Sequence, residues 1–187
     1  PLRPQQPEPG PWLAFAPLKK DAQDTLVAQA TALGVERLLP VLTRFTAVER
    51  INRERLRAQT IEAAEQCGRL SVPEIAEPSR LPALLATWPA ARVLLFADER
   101  RTGAPIAAAL RPGDCSPSGI LIGPEGGFAE EERRAIAAHP SALPIDLGPR
   151  ILRAETAAVA ALACWQALCG DWRPENPAGS KHVRTEC

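Results

Sequence analysis

Three short apolar runs set the limits on this fold: ARVLLFADE (91–99), GILIG (119–123) and ALPIDLG (142–148). A helix-forming segment near 129–138 separates the last two, and an alanine-rich one, ETAAVAALACWQALC (155–169), follows. Runs this short and this apolar suit strands buried on both faces. The first half has the same rhythm. WLAFAP (12–17) reads as a strand, and KKDAQDTLVAQATALGV as a helix with Leu26, Val27, Ala30 and Leu33 on one face and Gly34 as its stop. ERLLPVLT is a strand that Pro40 is expected to end, 53–67 is a helix closed by Gly68, and SRLPALLATW (79–88) is a further helix. Strands alternating with helices predict an α/β domain built on a mostly parallel sheet, with helices on both faces. Ligands of such sheets sit at the carboxyl ends of the strands, which makes FADER, IGPEGG and LGPRILR the candidate loops.

Composition narrows the function classes. The five cysteines (Cys67, Cys115, Cys164, Cys169, Cys187) form no CxxC pair, and the two histidines are His139 and His182. A disulfide framework, a zinc site and histidine-based catalysis are all poorly supported, and no metal is expected. No run reaches the roughly 18 apolar residues of a membrane span, and no signal-peptide pattern opens the chain, so no membrane partner and a cytoplasmic location are expected. The chain contains no methionine, which reads as a fragment. The proline-rich residues 1–11 read as a linker remnant, 12–169 as the domain, and 170–187 as a disordered tail. Balanced charge, 22 basic against 22 acidic residues, argues against a protein held to nucleic acid by charge alone. Arg44, Arg50, Arg53, Arg55 and Arg57 nevertheless crowd one segment. That cluster is either a solvated helix face or a strip that contacts phosphate.

The turn Gly123-Pro124-Glu125-Gly126-Gly127 lacks the lysine and Ser/Thr of a Walker loop, and it is not GxGxxG. Glu130, Glu131 and Glu132 fill the first turn of the next helix, where a phosphate loop would present positive potential. A neutral or cationic ligand therefore fits better, with the glycines letting backbone approach a flat group such as a nucleobase. In LGPRILRAETAA, Ile151 and Leu152 are apolar loop residues between Arg150 and Arg153, just before Glu155. Either Leu152 staples the helix start while Arg153 pairs with Glu155, or the two apolar residues wall a pocket beside a polar substrate.

LIGPEGGFAEEE followed by LGPRILRAETAA, with IEAAEQCGR and LGVERLLPVLTRF upstream, resembles the RsmE-type methyltransferases over residues 12–169. The sequence departs from that pattern at Gln29 and Ala32, where the family usually has a lysine and a glutamate. The resemblance implies a SPOUT-type fold with a C-terminal deep trefoil knot, and an N-terminal PUA-like domain that this sequence lacks. It implies methylation of N3 of a uridine in small-subunit ribosomal RNA, with the assembled subunit as substrate and S-adenosyl-L-methionine as cofactor. Three loops would hold that cofactor, which assigns Phe96, Ile122, Gly123, Glu125, Gly126, Leu147, Gly148, Ile151 and Leu152 to cofactor binding. A homodimer formed through helix 155–169 is implied as well.

The reaction needs a group to stabilise the uracil oxyanion and another to take or orient the N3 proton. Arg153 suits the first because arginine stays protonated, and Glu155 the second, with Glu125 as alternative. Arg150, Arg44 and Arg53 are assigned to RNA. Another SPOUT reaction, such as ribose 2′-O methylation of transfer RNA, and a non-catalytic RNA-binding dimer are the competing readings.

Overall fold

The computed structural model describes residues 8–48, 51–111 and 116–173. The elements run β1 (Trp12–Phe15), α1 (Lys20–Ala32), β2 (Arg37–Leu42), α2 (Arg53–Cys67), β3 (Glu74–Ile75), β4 (Ser79–Arg80), α3 (Leu81–Thr87), β5 (Val93–Ala97), β6 (Ala104–Pro105), α4 (Ile106–Ala109), β7 (Ser118–Ile122), α5 (Glu130–Ala137), β8 (Ala142–Asp146) and α6 (Ala154–Leu168). All strand pairings are parallel, in the order β3-β2-β1-β7-β5-β8-β6, with β4 also on β2. This is the expected α/β class. Arg50, Cys115, Cys187 and His182, together with residues 1–7 and 174–187, lie outside the described residues.

The pleat divides the apolar residues between two layers. Leu13, Phe15, Leu95, Ile120, Ile122 and Ile145 face a core closed by α1, α2, α4 and α6. Their neighbours Ala14, Leu94, Phe96 and Leu121 face a second core under α3 and α5. Successive strand residues point to opposite faces, so a stretch buried on both sides is apolar residue after residue, as 94–96 and 120–122 are. Both cores contain members at 0% exposure.

Helix ends follow local chemistry. Gly34 and Gly68 adopt φ of 78° and 72°, the left-handed conformation that closes α1 and α2. Asn52 caps α2 by accepting from the Arg55 amide at 3.0 Å. Pro40 does not end β2, contrary to expectation. β3 pairs with residues 37–38 and β4 with 41–42, so Pro40 falls in the gap between these edge pairings, while β1 pairs its other side. There its missing N–H interrupts no strand pairing among the described residues.

The connection from β5 runs outward to β6 and α4 before returning to β7, yet β8 lies between β5 and β6. The chain reaches β8 from α5 on one face and leaves it for α6 on the other. That strand order agrees with the knotted path implied by the resemblance.

Candidate functional site

β7, β5 and β8 are adjacent and parallel, so the loops after them, 98–103, 123–129 and 147–153, leave the same edge of the sheet. The three candidate loops therefore meet.

Each loop is held internally. Asp98, 8% exposed, accepts from the Arg100 amide at 3.1 Å and from Thr102 Oγ1 at 2.7 Å. In the second loop the Gly127 amide donates to the Pro124 carbonyl at 2.9 Å, closing a turn with Gly127 at φ 70°. Gly123 lies against the Phe128 ring: a Cβ there would stand 2.6 Å from Cε2. Phe128 in turn packs edge-on to Phe96, with centroids 5.3 Å apart. In the third loop the Gly148 amide donates to Asp146 Oδ1 at 2.9 Å.

Charged groups of the first loop join it to α5, just after the second loop, and to the end of β8, just before the third. Arg100 pairs with Glu130 at 2.7 Å, and Glu99 pairs with Arg133. Arg101 pairs with Asp146 at 3.4 Å. The hydrogen bond from Arg133 and the charge of Arg100 hold the Glu130 carboxyl below the usual carboxylate range. Asp146 is lowered likewise, by the hydrogen bond from Arg101 and then by the Gly148 amide. Glu132 accepts from the Ala129 amide at 2.9 Å and from the Arg44 amide at 2.8 Å. The first accepts at the start of α5, as in a capping box; the second fastens the turn after β2. Glu130 and Glu132 are thus engaged, while Glu125 and Glu131 are exposed.

The residues expected at the site occupy different environments. The Phe96 and Ile122 side chains lie in the two cores, 3% exposed each, so only their backbone can border a ligand. The Ile122 carbonyl already accepts from the Ala16 amide at 3.1 Å. Gly123, Glu125, Gly126, Leu147, Gly148, Ile151 and Leu152 all lie on the second and third loops, with Ile151 96% exposed. Arg150 and Arg153 are exposed beside them. Glu155 opens α6 with Oε2 buried and without a hydrogen-bond partner, an atom that calls for a donor or a cation. Arg44 is exposed beside the second loop, whereas Arg53 is engaged by Glu77 and the Ile75 carbonyl. The sequence singles out none of Asp98, Arg101 and Asp146; the Arg101–Asp146 pair, 45 residues apart, has no local signature. A groove of about 410 Å³ between α1 and α2, lined by Gln29 and Ala32 among others, shares no residue with the loops. Among the described residues no group of three or more His, Cys, Asp or Glu could hold a metal, and no helix is long and apolar enough to cross a membrane.

The family model of the RNA methyltransferase domain matches residues 6–166. The chain belongs to this family. Within it, the chain is 35% identical over 155 residues to ribosomal RNA small subunit methyltransferase E of Rickettsia conorii, covering 81% of this chain and 62% of that relative. It therefore spans less than two thirds of that protein's length. The crystal structure of ribosomal RNA small subunit methyltransferase E from Neisseria gonorrhoeae, bound to S-adenosyl methionine, superposes with a TM-score of 0.77 at 28% identity, covering 88% of this chain and 69% of that one. The SpoU methyltransferase AviRb from Streptomyces viridochromogenes, at 19% identity and a TM-score of 0.55 over 88% of this chain and 58% of that one, shares the fold. The RNA methyltransferase family and these likenesses establish the SPOUT-type α/β class.

Proposed function

We propose that this chain methylates N3 of a uridine in small-subunit ribosomal RNA, with S-adenosylmethionine as methyl donor. The observation that carries the reading is the convergence of the three loops at adjacent strand ends, with the buried, unpartnered Glu155 Oε2. The donor set fits the cofactor: it offers glycine backbone and carboxylates, which suit a sulfonium and an amine better than a phosphate. Backbone of Gly123, Gly126, Leu147 and Gly148, with the Ile151 and Leu152 side chains, would hold it, and it supplies an electrophilic methyl when bound.

The chain's own groups then have separate tasks. Glu155 accepts or orients the N3 proton, with Glu125 as the alternative. Arg153 stabilises the charge that develops on the uracil oxygens as that proton leaves. Arg150 and Arg44, both exposed beside the loops, contact RNA phosphate. Fixing acceptor and methyl in line supplies much of the remaining barrier reduction. A homodimer through α6 and a knotted path through β8 complete the proposal.

The deciding experiment incubates the protein with labelled S-adenosylmethionine and hypomodified small subunits, then maps the product. A single N3-methyluridine is expected. An alkali-resistant linkage would instead mark ribose 2′-O methylation, and no cofactor binding by calorimetry would mark a non-catalytic protein.

A further inference from the structure

Three of the four phenylalanines are core residues: Phe15, Phe96 and Phe128 are 0%, 3% and 1% exposed. Phe45 is 50% exposed. A single surface aromatic is ordinary in itself, but this one stands on a braced turn. The Thr43 amide donates to Thr46 Oγ1 at 2.8 Å, the two hydroxyls lie 3.0 Å apart, and the Thr46 amide donates to the Thr43 carbonyl at 3.3 Å. The turn is also fixed to the candidate site. The Arg44 amide donates to Glu132 at 2.8 Å, and a Cβ on Gly126 would lie 3.3 Å from Phe45 Cβ.

We infer that Phe45 is a platform on which an unpaired base of the substrate RNA stacks beside the second loop; this rests on the function proposed above. Proteins take unpaired bases by stacking them on aromatic rings while neighbouring arginines hold the backbone. Phe45 offers a half-exposed ring on a turn whose backbone is braced before binding, and Arg44 is exposed next to it in the chain. Because the turn and the loop are fastened together, a base on the ring would be positioned relative to whatever Gly126 contacts.

The test compares wild type with Phe45→Ala, Phe45→Leu and Phe45→Trp. Affinity for a single-stranded oligouridine and methylation of hypomodified small subunits are both measured. Phe45→Ala and Phe45→Leu are expected to weaken oligouridine binding by about tenfold and to raise KM for subunits more than they lower kcat. Phe45→Trp should bind as wild type does, and calorimetry should give S-adenosylmethionine affinities unchanged in all three. Wild-type affinity in Phe45→Ala, or full affinity in Phe45→Leu, overturns the platform, as does a wild type that binds no oligouridine. So does a fall in oligomeric state of Phe45→Ala in sedimentation, which would assign the ring to a protein contact. If wild type binds RNA but methylates nothing, the proposed reaction fails while the binding series still decides the role of Phe45.

Discussion

Arg101 reaches Asp146 across two loops, with Nε and Nη2 each 3.4 Å from one carboxylate oxygen. Arg101 does so at φ 58°, the only non-glycine residue at positive φ among those described, a conformation that costs about 1–2 kcal/mol in an L-residue. Asp146 also accepts from the Gly148 amide. One carboxylate thus ties the loop after β5 to the loop after β8.

The charge on Asp146 should be visible in stability against pH. Its pKa is lowered in the folded state, so its contribution is complete above the unfolded value of about 3.9 and is lost as pH falls through the lower folded value. The melting-temperature difference between wild type and Asp146→Asn should be constant from about pH 8 to pH 5 and shrink below about pH 4. A difference that grows on acidification would refute the clasp.

Gly123 and Gly148 should both resist alanine, for different reasons. An alanine at 123 would meet the Phe128 ring and cost about 1–3 kcal/mol by overpacking. Gly148, at φ 101°, has nothing within 4 Å of its would-be Cβ, and its cost of about 1–3 kcal/mol is backbone strain alone. Urea unfolding measures both. Phe128→Leu should recover part of the loss in Gly123→Ala and none in Gly148→Ala.

Arg153→Ala should leave S-adenosylmethionine affinity close to wild type by calorimetry and lower single-turnover methyl transfer by about 10²–10³-fold. Transfer at the wild-type rate would remove Arg153 from the proposed chemistry.

The dimer proposed through α6 makes a separate prediction. Ala158, Ala161, Leu162 and Trp165 face the core, whereas Ala160 and Ala163 are half-buried in the single chain. Ala163→Arg should convert a dimer to monomer in sedimentation velocity with little change in far-ultraviolet circular dichroism. A variant that remains dimeric would move the interface elsewhere.

What was legible in the sequence follows from the range of the forces. Leu94, Leu95, Ile120 and Leu121 are needed on both faces of a sheet, so their runs announced strands; Gly34 and Gly68 announced helix ends because few other residues adopt their φ. β3, β4, β6 and α4 have two to four residues each, too few for any period to show. Pro40 misled because its effect depends on which side of the strand lacks a neighbour, a fact of the sheet and not of the segment. At the site, glycine-rich turns marked two loops, and FADER marked the third. The ties between them, Glu99 to Arg133, Arg100 to Glu130 and Arg101 to Asp146, span 30 to 45 residues, so nothing nearby in the chain signals them. The sequence places Phe96 at a strand end, but it does not tell that its ring packs into the core and leaves only its backbone toward the loops.

The place of β8 between β5 and β6 also sets a timetable. On a ribosome the chain emerges from its N-terminus, so β5 is made well before residues 142–146, the strand that covers its open side. Until then β5 is an unpaired edge, the kind of surface that recruits wrong partners. The interval between synthesis of β5 and arrival of β8 is when a nascent copy is most exposed to misassembly with its neighbours.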